Sequence, residues 1–320
     1  MSEVRHLRET LAGLSRSALL GCVLLILTVT ISLGRMYAQS SLDSHISGPE
    51  DFDTRTLAMG SAGFSDIENV GSMYSNPATL NFLRHPGVMA LHRHHWINHV
   101  RDDVIAARVF NNNWLAIGIG ASLTHAGLID PRFNMELTQY GIDFAISTKP
   151  EDFLSAGVSA SYRSGTASDS SVAGYWFSMG VLYSPGGGLS YGLAISGMGR
   201  AIAYAFEPSL NRTVVSQGPE VMPAIDVGAS FIFPARGSPP SFFVSSSARR
   251  IFKTRETEYR IGAEGIIMRF VALRIGYLSR TEDEVRYGIG IMLSRFRLDY
   301  TIMPRKDRDR YDQLALRYNF

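Results

Sequence analysis

The chain has 320 residues, 31 basic against 29 acidic, and a mean hydropathy of +0.02. That balance excludes the global basic excess of a nucleic-acid binder. The single cysteine, Cys22, excludes a disulfide framework and a thiolate metal site.

The first 38 residues read as an export signal. Arg5, Arg8 and Arg16 are followed by 16 uncharged, mostly apolar residues from Ala18 to Leu33, and then by the small residue Ala38. That run is short of the ~20 residues a membrane-spanning helix needs. Leu19-Leu20-Gly21-Cys22 has the look of a lipoprotein processing box, but most of the apolar run comes after Cys22 instead of before it. Four arginines and two glutamates leave with the signal, so the rest of the chain is charge-balanced and carries only three lysines.

Residues 39–85 differ in pattern from the rest of the chain. Their stretch 52–83 is dense in small residues (Ala58, Gly60, Ala62, Gly63, Gly71), with a helix-like pattern from Ser65 to Tyr74. Asn76-Pro77 marks a turn, and a second short helix is expected over Ala78–Leu83. The composition predicts a compact, partly helical hatch.

From Pro86 to the last residue, alternating segments are separated by turn chemistry. Leu115, Ile117, Ile119 and Leu123 share a face opposite Gly118, Gly120 and Ser122. Ile142 and Phe144 oppose Asp143, and Val158 and Tyr162 oppose Gly157, Ser161 and Arg163. Leu273 and Ile275 oppose Arg274, and Leu298 and Tyr300 oppose Asp299. The pattern predicts about 14 strands of roughly 9–11 residues, the length and even number of an all-β, antiparallel transmembrane barrel. Asp143, Arg163, Arg274 and Asp299 would be costly in a soluble sandwich core, so a wet lumen is expected in which they are solvated or paired. Trp114, Trp176, Tyr183, Tyr277, Tyr287 and Tyr300 are expected in the interfacial girdles. The longest loops are expected around Ala126–Leu137 and Ala205–Val221, with a tight turn at Gly186–Gly188. The closing strand sets Leu314, Leu316, Tyr318 and Phe320 on one face.

The hatch also carries a resemblance. Arg55 with Leu57-Ala58-Met59-Gly60-Ser61-Ala62-Gly63, then Tyr74-Ser75-Asn76-Pro77-Ala78-Thr79-Leu80, resembles the "AMGGA" and "YxNPAGL" elements of the PorV/PorQ family in the FadL-like barrel superfamily. Val271–Tyr277, Leu298-Asp299-Tyr300 and the strand closing on Phe320 are similar to the same family's C-terminal pattern, with departures at Ser61 and Thr79 where glycine is usual. The resemblance implies a 14-stranded outer-membrane barrel of a Gram-negative bacterium with an N-terminal hatch. It implies a hatch motif of Arg55, Ala58, Met59, Gly60, Tyr74, Asn76, Pro77 and Ala78, and an assembly signal of Leu316, Tyr318 and Phe320. It also implies a role in type IX protein secretion, with outer-membrane lipid, secreted cargo domains or secretion-system subunits as partners. The alternative within the superfamily is a FadL-like conduit for hydrophobic ligands such as long-chain fatty acids. The short chain and modest loops favour the PorV/PorQ side.

Other chemistries are weaker. His92 and His94 share a strand face, but His85, His92, His94, His95 and His99 fit no tight zinc spacing. A barrel-embedded hydrolase would need an activated serine, and no Gly-x-Ser-x-Gly is present. Gly186–Gly188 lacks the lysine of a phosphate loop. The mixed-charge runs 280–284 and 305–310 read as solvated turns. No enzyme activity, cofactor, metal or nucleic-acid partner is expected.

Overall fold

The computed structural model describes residues 52–65, 69–83, 85–95, 100–112, 114–126, 137–167, 170–207, 212–217, 222–233, 242–279, 284–304 and 310–320. The expected signal peptide and the 305–309 turn lie outside them. Alternating sequence gives alternating side chains on extended backbone. The first half of the chain forms strands β1 (Gly87–His95), β2 (Val100–Asn111), β3 (Leu115–Ala126), β4 (Leu137–Glu151), β5 (Leu154–Ala167), β6 (Ser170–Gly186) and β7 (Leu189–Glu207). The second half forms β8 (Arg212–Gln217), β9 (Ala224–Phe233), β10 (Phe242–Ile251), β11 (Thr257–Ile267), β12 (Val271–Ser279), β13 (Glu284–Leu293), β14 (Phe296–Pro304) and β15 (Arg310–Asn319).

Fourteen of these close a ring. β1 pairs with both β2 and β15, and β7 pairs with both β6 and β9. Closure leaves no edge strand in the ring, which is the one way a sheet can satisfy its backbone in lipid. β8 stands outside the ring, paired to the second half of β7. The expected Ala205–Val221 loop is therefore corrected, because it carries this extra hairpin. Gly197, at φ +71°, sits where the β6–β7 register shifts between Phe177 and Met179. β7 hands over there from β9 to β8.

The burial pattern is reversed from that of a water-soluble barrel. Ile105, Ile142, Val158, Ile261, Ile275 and Leu316 point out and are exposed, whereas Asp102, Asp143, Arg163, Arg274, Asp299 and Gln313 point in and are buried. An apolar outer face around a polar interior suits lipid as the outer solvent. The aromatic residues bound this belt. Trp114, Phe153, Tyr183, Phe270, Phe296 and Phe320 are exposed at the short-turn end, and Tyr140, Tyr162, Tyr175 and Tyr259 nearer the other. Trp176 corrects the girdle expectation. It lies between the outward Tyr175 and Phe177, so the two-residue period turns it into the lumen, where it is 5% exposed.

The described residues of 52–83 fill that lumen, among them Phe52, Ala58, Met59, Phe64, Met73, Ala78 and Leu80, all buried. Their helical content is short. An α-helical turn, α1 (Thr54–Ala58), precedes 3-10 turns at Gly63–Ser65, Val70–Tyr74 and Pro77–Phe82. The expected helix over 65–74 is reduced to the second of these turns, and 66–68 lie outside the described residues. Small, polar and glycine residues lose too much backbone entropy to sustain long helices. Three of the turns start at a side-chain cap. Asp53 accepts from Arg55 N (3.1 Å), Asn69 from Gly71 N (2.7 Å) and Asn76 from Ala78 N (3.1 Å), with Pro77 in the first helical position.

Candidate functional site: the hatch and its seat

The hatch is braced between two facing walls. On one, Ala58, Met59 and Gly60 sit against Gly262 of β11, Gly276 of β12 and Gly288 of β13. A Cβ built on Gly288 would lie 2.5 Å from Ala58 Cβ, well inside contact distance. Gly60 itself needs glycine twice over: its φ is +68°, and a Cβ there would meet the Tyr277 carbonyl oxygen at 2.5 Å. Ser61, the next residue, is in the left-handed region at φ +59°, and its hydroxyl accepts from Arg286 Nη1 at 2.8 Å. The serine that departs from the family pattern is thus held by a wall arginine.

Charge reinforces this wall. Arg55 forks onto Glu264, its Nε donating to Oε2 (3.0 Å) and its Nη2 to Oε1 (2.8 Å). Glu264 also accepts from Arg274 (2.6 Å) and Arg297 (2.8 Å). Arg274, Arg297 and Arg317 converge in turn on Asp299. Gln313 donates to the Thr54 hydroxyl (3.0 Å) and Thr301 to the Thr54 carbonyl (2.8 Å). These buried charges narrow the wet-lumen expectation: Arg274 and Asp299 are paired, as one of its two forms had it, and they are covered by protein because the hatch occupies the lumen beside them.

The facing wall takes the second motif element. Asn76 lies against Gly180 of β6, and its amide nitrogen reaches the Val181 carbonyl (3.3 Å) and the Phe64 carbonyl (3.4 Å). A Cβ on Gly157 of β5 would sit 2.7 Å from the Ala78 nitrogen, and one on Gly118 of β3 2.8 Å from the Met73 sulfur. Arg108 of β2 donates to the carbonyls of Leu80 (2.9 Å) and Leu83 (2.7 Å), closing the last turn. Tyr74 packs edge-on to Phe52 at 5.4 Å. Burial, and then the adjacent Asp143 carboxylate, raise the Tyr74 phenol well above its ordinary value, so it stays protonated. Beside it, Met73, Tyr74, Asp143, Ser159, Ser161 and Ser178 line a cavity of about 10 Å³, room for one water.

Toward the loop end, arginines and rings stack. The Arg93 guanidinium lies 5.2 Å from the Phe52 ring centre, and Arg163 lies 5.8 Å from Phe52 and 5.4 Å from Trp176. Arg93 pairs with Asp102 (2.7 Å) and Arg163 with Asp143 (2.8 Å), both from neighbouring strands. No motif points to this stack. Its only signals are an inward parity for Trp176 and for the arginines on β1 and β5.

The structure divides the sequence-derived residues between the walls. Arg55, Ala58, Met59 and Gly60 gather on the β11–β14 side, and Asn76, Pro77 and Ala78 on the β5–β7 side, with Tyr74 against β3 and β4. Leu316, Tyr318 and Phe320 lie on the outer face of the closing strand and its end. Tyr318 packs on Phe296 (4.7 Å) and Phe320 on Tyr318 (5.0 Å). His92 faces outward and pairs with Asp103 across the strand pair (2.8 Å), and no serine is bonded to it among the described residues. No group of three metal-ligating side chains gathers among the described residues.

No protein-family model matches the chain, and no curated protein does. Solved structures do, through the fold. The chain is similar to the CymD monoaromatic hydrocarbon channel, with TM-score 0.58 and 14% identity over 83% of this chain and 97% of that one. It is similar to the Pseudomonas putida toluene transporter TodX, with TM-score 0.55 and 12% identity over 82% and 96%. It is also similar to a Pseudomonas aeruginosa FadL homologue, with TM-score 0.52 and 12% identity over 83% and 98%. The closed 14-stranded antiparallel barrel is thus the fold of FadL-like outer-membrane proteins.

Proposed function

We propose that the chain is an outer-membrane conduit for hydrophobic small molecules, with residues 52–83 as its gate. The observation that carries this reading is how the bore is filled. Where the hatch sits, the wall turns glycine, serine and alanine inward between its paired arginines and carboxylates, and a separate segment fills the space they leave, seated by caps and side-chain bonds. A bore filled by a displaceable segment can be emptied without dismantling the wall. The fold shared with hydrocarbon channels supports the same reading. The protein reconstituted into vesicles is expected to speed the entry of labelled toluene or palmitate over protein-free vesicles, while leaving sucrose excluded. Equal entry with and without the protein would sink the conduit.

The PorV/PorQ-like role in type IX secretion is the second reading. One geometric observation favours it: the space beside Tyr74 is water-sized, and a barrel that works by binding partners needs no passage. No comparison supports that role. Co-purification of secreted proteins sharing a C-terminal domain, without bound lipid, would favour it over the conduit.

A further inference from the structure

On the outer face, the strand registers set the side chains of the loop end in one continuous row. His94 of β1 lies opposite Arg101 of β2, Arg101 opposite His125 of β3, His125 opposite Thr138 of β4, and Thr138 opposite Thr166 of β5. One outward position nearer the short turns the row is His92, Asp103, Leu123, Tyr140 and Ser164, and the next is Ala90, Ile105, Ala121, Ile142 and Tyr162. Polarity therefore changes over two positions, from the apolar belt to a row without an apolar side chain. Arg101 is exposed and lies four residues beyond Ile105 along β2. At ordinary strand rise and tilt that is about 10 Å further out, at headgroup level and clear of the hydrocarbon. Directly opposed side chains have Cβ atoms about 5 Å apart, so both imidazoles reach the space in front of the guanidinium. Two carboxylates border the row. Asp103 pairs with His92 (2.8 Å), and Asp312 of β15 lies opposite His94. His125 Nδ1 meets the Thr138 hydroxyl at 3.3 Å. Arg101 makes no hydrogen bond or ion pair among the described residues. A cation held in a headgroup layer takes its counter-ion from that layer.

We infer that this row is a binding site for a lipid of the outer leaflet whose headgroup is a phosphorylated sugar. Arg101 takes the phosphate, the His94 and His125 imidazoles flank it, and the Thr138 and Thr166 hydroxyls face the sugar. Bacterial barrels turn their long loops outward and their short turns to the periplasm, which puts the row in the outer leaflet. Guanidinium grips phosphate through two parallel N–H bonds, and imidazole donates an N–H in either protonation state. Continuity with the belt makes the occupant a lipid and not a free anion. The acyl chains of a lipid whose phosphate meets Arg101 run down over Ile105, Ala121 and Ile142, all on the outer face beneath the row. A free phosphate uses the row alone. The site lies outside the lumen, so it holds for a conduit and for a barrel that only binds partners.

The test is a thermophoresis titration of the full-length protein in uncharged detergent micelles. Diphosphoryl lipid A, its dephosphorylated form, phosphatidylglycerol and inorganic phosphate are the probes. Diphosphoryl lipid A is expected to bind about tenfold tighter than the dephosphorylated form, the ratio one charge-assisted hydrogen bond supplies. Phosphatidylglycerol, which has phosphate without the sugar, is expected to bind more weakly than lipid A, and inorganic phosphate is expected not to displace it. Arg101→Gln should weaken diphosphoryl lipid A about tenfold and leave the dephosphorylated form unchanged. Arg295→Gln makes the same charge change at an exposed position of the short-turn end and should alter neither. Thr138→Val should weaken lipid A and leave phosphatidylglycerol as it was. Heat-modifiable gel mobility shows that each variant is folded. The inference is overturned if the two arginine variants weaken lipid A equally, or if dephosphorylation leaves its affinity unchanged. It is also overturned if phosphatidylglycerol matches lipid A or if inorganic phosphate displaces it. No arm measures passage through the lumen, so this site and the conduit stand or fall separately.

Discussion

The two walls that hold the hatch solve one packing problem with different chemistry. Against β3–β7 the contact is chiefly steric, with uncharged hydrogen bonds beside it: Asn76, Ala78 and Met73 occupy places where a methyl group on Gly180, Gly157 or Gly118 would collide, and the Asn76 amide donates to the Val181 carbonyl. Against β11–β15 the same kind of glycine contact holds Ala58 to Gly60, and a buried cluster of Arg55, Arg274, Arg297, Arg317, Glu264 and Asp299 is added. Steric fit is short-ranged and fails all at once. A charge cluster holds only while each member keeps its partners, because an uncompensated buried charge is expensive. The charged wall is therefore the more sensitive to a single isosteric change, and the glycine wall to added volume.

Glu264→Gln should be the most damaging single change. It removes the carboxylate shared by Arg55, Arg274 and Arg297, and the cost of leaving buried charge unpaired is about 3–5 kcal/mol. Urea unfolding in micelles reads it as a lowered midpoint. A midpoint within error of the parent would mean the cluster is solvated after all. Gly157→Val tests the other wall. Overpacking against the Ala78 backbone should cost about 1–3 kcal/mol, with Gly265→Ala as the neutral control because nothing lies near that position. If both glycine variants behave alike, the steric basis of the β3–β7 wall fails.

A third change sharpens the comparison within the hatch. Asn76→Ala loses the cap on Ala78 N and the contact to the Val181 carbonyl, for about 1 kcal/mol. Faster hydrogen exchange confined to residues 76–82 is the expected signature. The smallest effect belongs outside both walls. His92 and Asp103 are about half exposed on the outer face, so Asp103→Asn should move the unfolding midpoint by less than about 0.5 kcal/mol. A larger loss would give that pair a structural role that its exposed position does not suggest.

The barrel was legible because two-residue alternation is a local property. Leu273, Arg274 and Ile275 state their faces without reference to any other strand. The two hatch elements were legible as motifs, but not their seats. Gly157, Gly180 and Gly276 look like ordinary small strand residues until the hatch is docked on them. The state of the lumen is not legible in the sequence for a related reason. Inward Asp143 and Arg274 show polarity in the sequence, and only the docked segment decides whether water or protein surrounds them. Residue type alone points Trp176 to a girdle, but its parity relative to Tyr175 and Phe177 places it inside. The strand Arg212–Gln217 escaped because it pairs outside the ring and bears no lipid-facing stripe in its sequence.

The central claim is that the hatch must move for the barrel to conduct. Gln313 donates to the Thr54 hydroxyl at 3.0 Å, so cysteines at these two positions, with Cys22→Ser, place one thiol on the hatch and one on the wall. Bridging them with a short bis-methanethiosulfonate reagent ties the first turn of the hatch to β15, and reductant frees it. The measurement is toluene entry into vesicles holding this variant, bridged and then reduced. A moving hatch predicts entry at the protein-free rate when bridged and recovery of the parent rate on reduction. Equal, protein-dependent entry in both states would contradict it.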